Sequence, residues 1–273
     1  MRRGYSPEGW EYQEREPRQA GTKGVLVQRT KTVKTGSVLE AEIYPVVDWE
    51  HARGAKSKKT PEQMQRVNMN NARKQLARLA NTNFGPGDLL IHLTSGGEDT
   101  EEEFMRITRR FFARLRYAFR KLGKELKYLY VIEGTGTDGR KRWHIHGLVN
   151  GGALSRDEVE QLWGHGLARV DRVQKQEGGL TGFALYITQR KSTQERMMRR
   201  RWAGSRNLKK PTCTVSSSKF SRAAAAKIEK GVREDARALF EKKYPGYRLV
   251  TYEVKYSDFL PGVYIYAVME RRE

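Results

Sequence analysis

The stretch from Tyr128 to Val149 constrains this chain more than any other. Tyr128-Leu-Tyr-Val-Ile-Glu133 is an aromatic and β-branched run; Gly134, Gly136 and Gly139 interrupt it, and Trp143-His-Ile-His-Gly-Leu-Val149 resumes it. Such a pattern predicts two strands around a glycine-rich reversal. Residues i and i+2 of a strand face the same way, roughly 7 Å apart. His144 and His146 therefore share a side, and Glu133 ends the partner strand, from which a carboxylate oxygen can approach. Two nitrogens, one carboxylate and open positions make a candidate metal site.

The same hairpin carries two nucleotide-binding look-alikes. Gly134-Thr-Gly-Thr-Asp-Gly139 matches a dinucleotide fingerprint letter by letter, but that motif needs a helix directly after it to receive the pyrophosphate. Here Arg140-Lys-Arg-Trp143 leads into a β-rich run instead. The glycine spacing also fits a P-loop, yet Arg140 and Lys141 stand where Lys and Ser/Thr are required. No other Walker-like stretch occurs, so the chain carries no ATPase or helicase of its own.

Around the hairpin, the 273 residues read as an α+β chain with helices packed on a mostly antiparallel sheet. Residues 1–23 are a polar leader, and β-branched runs on either side of Lys34-Thr-Gly-Ser37 predict a hairpin over 24–47. A basic loop (51–61) precedes a helix over Pro61–Asn81, and Asp88–Thr94 is a short strand. Thr100-Glu-Glu-Glu103 is a capping box opening an amphipathic helix that Gly123 closes. Its polar side bears Arg109, Arg110, Arg114, Arg116 and Arg120, either a solvated face or a nucleic-acid surface. Ser155-Arg-Asp-Glu158 caps a second helix; Ala168–Val173 is a strand, Leu180 to about Arg190 a helix, and 190–222 a basic, partly irregular run. A helix over Ala223–Lys243 and two strands, Arg248–Lys255 and Val263–Met269, complete the chain. Three consecutive segments result: 1–60, 61–195 and 196–273.

Composition says what such a chain meets. Its 53 Lys and Arg against 32 Asp and Glu leave a net charge of +21, which selects nucleic acid as the partner, because phosphate backbones reward many cations by counterion release. A merely solvated basic surface is the alternative. Cys213 is the lone cysteine, excluding an intrachain disulfide or a cysteine-built zinc site. No apolar run nears the roughly 20 residues of a membrane span, and the first residues lack a signal-peptide core; a cytoplasmic protein without a membrane partner is expected.

Leu180, Phe183, Ala184 and Ile187 line one face of the helix after the hairpin, and Tyr186 lies at its border, with Gln189 and Arg190 as helical neighbours. A border tyrosine packs in most helices; beside a metal-bound phosphodiester it is a nucleophile. The order Leu93-Thr94, Glu133, His144-Ile-His146, Tyr186 resembles the HUH endonucleases that start rolling-circle replication, and most of all the replication-associated (Rep) proteins of phages and integrated elements. The likeness covers roughly 65–195, with Asn83-Phe-Gly-Pro-Gly-Asp-Leu89, Trp163-Gly-His-Gly-Leu-Ala-Arg-Val170 and Arg206-Asn-Leu-Lys-Lys-Pro211 also similar. It implies a ferredoxin- or RRM-related sheet with N- and C-terminal extensions, Mg²⁺ or Mn²⁺ on Glu133, His144 and His146, and Tyr186 as nucleophile. Two positions depart from the family pattern: His92 stands where Thr is usual, and Gln189 where Lys is usual, leaving Arg190 or Lys191 as the auxiliary cation.

The expected reaction is site-specific nicking and rejoining of single-stranded DNA through a 5′-phosphotyrosine. Its partners are single-stranded or supercoiled origin DNA together with a host helicase and polymerase. Arg199, Arg200, Arg201, Trp202, Arg206, Lys209 and Lys210, with the basic stretch 106–120, are the expected DNA contacts, and Trp202 or Trp143 the base-stacking side chains. The alternatives are a DNA-binding protein derived from such an initiator without catalysis and, from His92-Leu-Thr94, a two-histidine phosphoesterase.

Overall fold

A computed structural model describes residues 25–48, 60–97, 99–135, 142–189, 202–256 and 262–272. In chain order the elements are β1 (Val25–Thr35), β2 (Val38–Asp48), α1 (Pro61–Asn83), β3 (Leu89–Thr94), α2 (Glu101–Lys121), β4 (Tyr128–Thr135), β5 (Arg142–Val149) and α3 (Arg156–Trp163). There follow β6 (Ala168–Arg172), α4 (Thr181–Gln189), β7 (Ala203–Gly204), β8 (Thr212–Ser216), α5 (Arg222–Lys230), α6 (Arg233–Lys243), β9 (Tyr247–Tyr256) and β10 (Val263–Arg271). The fold is α+β, as the sequence predicts, with two five-stranded antiparallel sheets.

Those sheets belong to two compact units. One takes the described parts of 1–70, 177–179 and 211–273; the other takes 71–176 and the described parts of 180–210. The consecutive division at 60 and 195 differs from this, because β10 of the last segment pairs with β2 of the first along Ile43↔Ile265 to Val38↔Glu270. Strand order in the first unit is β8-β1-β2-β10-β9. Its core sets Leu39, Ile43, Ile265 and Met269 against Phe220, Ile228 and Phe240 of the segment that carries α5 and α6.

Two features of this unit differ from the sequence reading. The segment read as irregular contains β8, which pairs with β1 at Thr30↔Ser216 through Lys34↔Thr212; a partner so far away along the chain leaves no local signature. The predicted helix over Ala223–Lys243 is two helices. Gly231 is extended (ψ 162) and donates its N–H to Lys227 O, and Val232 follows at ψ 165. A Cβ on Gly231 would meet Lys227 O at 2.7 Å, so the break is built on the absent side chain.

The second unit has strand order β6-β3-β5-β4-β7. Period 2 divides its sheet into two chemistries. One face carries Leu89, Ile91, Leu93, Ile132, Ile145, Val149 and Val170, packed against Phe104, Phe111, Phe112, Leu115 and Phe119 of α2 and Val159 and Trp163 of α3. The other carries Leu90, His92, Thr94, Val131, Glu133, His144, His146 and Leu148, the intervening residues of the same strands. The phenylalanine stripe of α2 repeats every three to four residues, as a core-facing helix requires. Leu122, expected on that stripe, is 52% exposed, because it is the C-cap residue and follows the last helical turn.

Both predicted capping boxes form. Thr100 and Ser155 accept from the N–H of Glu103 and Glu158, whose carboxylates accept in return from the cap N–H. Those backbone bonds, and next the cap hydroxyls, hold both carboxyls below the ordinary glutamate range. A depressed folded-state pKa contributes stability above the unfolded value and loses it as pH falls through the folded one. Glu103→Gln should therefore flatten the acid limb of the pH–stability curve below the ordinary glutamate range and leave its slope near neutrality unchanged, as read by urea unfolding across pH.

Candidate functional site

The second face of the second unit's sheet gathers the titratable residues. Antiparallel register places Thr94, His144 and Glu133 in one row across β3, β5 and β4, and His92, His146 and Val131 in the next. Directly opposed residues share a face with Cβ atoms about 4.5–5.5 Å apart. Glu133 is 1% exposed, and its Oε2 lies 3.3 Å from His146 Nε2. That nitrogen is buried and makes no hydrogen bond of acceptable geometry among the described residues. The contact is thus an ion-pair distance without hydrogen-bond alignment. His144 Nδ1 lies 3.3 Å from Thr94 Oγ1; when Nδ1 donates to the hydroxyl, Nε2 presents the lone pair. His92 joins the pair, its ring 4.4 Å from that of His146 and 5.6 Å from that of His144. Among the described residues no three His, Cys, Asp or Glu side chains already converge as a ligand set; the imidazoles stack or tilt rather than aim at one point.

Small residues let these strands approach. A Cβ on Gly147 would meet Leu129 O and Tyr130 Cβ at 2.9 Å, and one on Gly134 would meet the Trp143 ring at 2.9 Å. Gly134 therefore makes room for a tryptophan and serves no nucleotide. Trp143 itself is 6% exposed, and its Nε1 donates to Asp99 O. This corrects the expectation that it stacks on bases: its parity puts it with the α2 core.

Tyr186 sits on α4, which α1 grips at both ends. Asn81 Oδ1 accepts from Leu180 N at 2.6 Å, and its Nδ2 donates to Thr181 Oγ1 at 2.9 Å. Arg73 Nη2 donates to Thr188 O at 3.0 Å. The first bond satisfies an orphan N–H at the start of the helix and the last an orphan carbonyl at its end. Tyr186 is 56% exposed. It lines an open pocket of about 750 Å³ with Phe183, Leu90 of β3, Asp171 and Arg172 of β6, and Arg156 of α3. Leu90 precedes His92 by one i, i+2 step, so α4 lies over the histidine-bearing face. Gln189 is the last residue of α4; its side chain, Arg190, Lys191, Arg199, Arg200 and Arg201 lie outside the described residues.

The remaining expected contacts separate. Arg206, Lys209 and Lys210 are exposed on a segment pinned to the second unit: Ser205 N donates to Tyr128 O, and Asn83 and Lys209 exchange two hydrogen bonds. Trp202 is half-buried at the start of that segment. The basic side of α2 lies on the sheet face away from the histidines. Arg114 is used structurally, donating to the O atoms of Leu162 and Trp163 where α3 ends. His165, for which the sequence offered no partner, contacts Asp99 at 2.8 Å. Sequence reasoning missed Asn81, Arg73, Arg156 and Arg172, whose roles arise only where segments remote in the chain meet.

A family model for replication-associated proteins of the ORF2 type matches residues 88–191, the span from the start of β3 to just past α4 that holds Glu133, His144, His146 and Tyr186. No curated protein and no solved structure matches the chain. The match supports a Rep-type protein with a part in DNA replication. No helix among the described residues is long and apolar enough to cross a membrane.

Asn81→Ala removes both bonds at the start of α4 and should cost about 1–2 kcal/mol, the range of a lost helix cap. Amide exchange of α4 should speed up while that of α2 stays unchanged in a hydrogen-exchange comparison.

Proposed function

We propose that this protein initiates rolling-circle replication by nicking and rejoining single-stranded DNA. One observation carries the reading: Glu133, His144 and His146 share a sheet face with a buried His146 nitrogen that lacks a hydrogen bond and lies 3.3 Å from the Glu133 carboxylate, and an exposed tyrosine lies on the helix over that face. A buried polar atom without a partner costs about 1–3 kcal/mol, and a cation between nitrogen and carboxylate removes the cost. The donors fit a divalent ion.

Mg²⁺ or Mn²⁺ held by these three residues supplies Lewis acidity at the scissile phosphate. Thr94 orients the His144 ring for that task. Tyr186 Oη attacks phosphorus; the bond from phosphorus to the 3′-oxygen breaks, and that oxygen leaves as a 3′-hydroxyl on taking a proton. The product is a 5′-phosphotyrosine, and attack by a 3′-hydroxyl reverses the step and rejoins the strand. A phenol is almost wholly protonated at pH 7, so a cation must favour its ionised form. Arg156 and Arg172 beside it in the pocket serve this purpose, as do Arg190 and Lys191 in the sequence. Exposed Arg206, Lys209 and Lys210 track the backbone. Unwinding falls to a host helicase and extension to a host polymerase.

Purified protein incubated with supercoiled DNA of its own replicon and Mn²⁺ should yield a nicked product bound covalently to protein. Tyr186→Phe should lose at least about 10³-fold in nicking, Glu133→Gln should lose most of it, and EDTA all of it. Tight DNA binding without cleavage in Mg²⁺ or Mn²⁺ would make the protein a non-catalytic origin binder and overturn the proposal.

A further inference from the structure

We infer that His92 is a third imidazole ligand, making the metal centre a three-histidine, one-carboxylate site that selects transition metals over Mg²⁺. The inference rests on the metal reading above. Three observations on this chain carry it. His92 is the direct cross-strand partner of His146, so its Cα is fixed within about 4.5–5.5 Å of that of a ligand. Its ring already lies 4.4 Å from the His146 ring and 5.6 Å from the His144 ring. Finally, His92 is exposed, so turning its ring from the stack toward the shared face needs rotation about side-chain bonds and no movement of β3.

The chemistry of the set then differs from that of a two-histidine site. Mg²⁺ is a hard ion that prefers oxygen and keeps its waters. Imidazole favours later divalent ions, with affinity rising from Mn²⁺ through Co²⁺ to Ni²⁺. Each added nitrogen widens that gap. Across one sheet face, Glu133, His144, His146 and His92 offer one oxygen and three nitrogens.

Co²⁺ is the probe, and the readouts are calorimetric affinity and the count of imidazole rings around bound Co²⁺ by X-ray absorption fine structure. Wild-type protein should bind one Co²⁺ with three imidazoles and, by the preference of imidazole for later metals, bind Mg²⁺ at least about 100-fold more weakly. His92→Thr should retain its circular dichroism, lower Co²⁺ affinity about ten-fold or more, show two imidazoles and leave Mg²⁺ affinity within about two-fold. Equal Co²⁺ affinity and ring count in wild type and His92→Thr, with loss in His144→Ala, would overturn the inference and leave the two-histidine site standing. Absence of Co²⁺ and Mg²⁺ binding in the wild type would overturn both.

Discussion

The register of β5 between β3 and β4 is the constraint on which the rest of this protein depends. Side chains alternate along a strand, so sliding β5 by one residue would turn His144 and His146 into the phenylalanine core of α2 and expose Ile145 and Trp143. Two apolar layers resist that slip: Ile145 is fully buried among the α2 residues, and Leu148 is fully buried on the other side. Gly147 and Gly134 permit the close approach that the register demands, since a Cβ at either would press on the neighbouring strand or on Trp143. Histidine geometry is a by-product of hydrophobic packing one residue away.

Burial then sets the character of the site. Glu133 lies at the inner end of its row with 1% exposure, while His92 on β3 is open. A carboxylate so placed needs cationic or hydrogen-bonding neighbours to remain charged, and the imidazole nitrogen 3.3 Å away lacks the alignment to meet that need by itself. The tyrosine is positioned by a different device. Asn81 and Arg73 fasten both ends of α4 to α1, so a short helix of nine residues, too short to be stable alone, holds its register.

Charge is distributed unevenly between fold and partner. Of the cations behind the net +21, some serve the fold. Arg114 closes the end of α3, Arg73 the end of α4, and Arg248 pairs with Glu177 and Glu270 within the first unit. The exposed arginines of α2 lie across the sheet from the histidines, so DNA held there would be bound away from the reacting phosphate. Arg206, Lys209 and Lys210 lie on a strap tied to β4 and to the end of α1, part of the unit that bears the site.

The sequence by itself determined the elements whose cause is local. Both capping boxes, the α2 stripe, the β1–β2 turn at Gly36 and the shared face of His144 and His146 all follow from spacings of two to four residues, which a strand or helix converts directly into geometry. Glu133 was legible for the same reason, because a hairpin brings its two strands together in order. Tertiary structure decided whatever depended on distant pairing: β8 against β1, the sheet shared by the first and last segments, and the grip of α1 on α4. It also decided the identity of Trp143 as core and the place of His92. In the sequence, His92 is an odd residue in a short apolar strand, far along the chain from His146. Only the β3–β5 ladder makes them neighbours, since backbone hydrogen bonds fix which residues of two remote strands stand opposite one another.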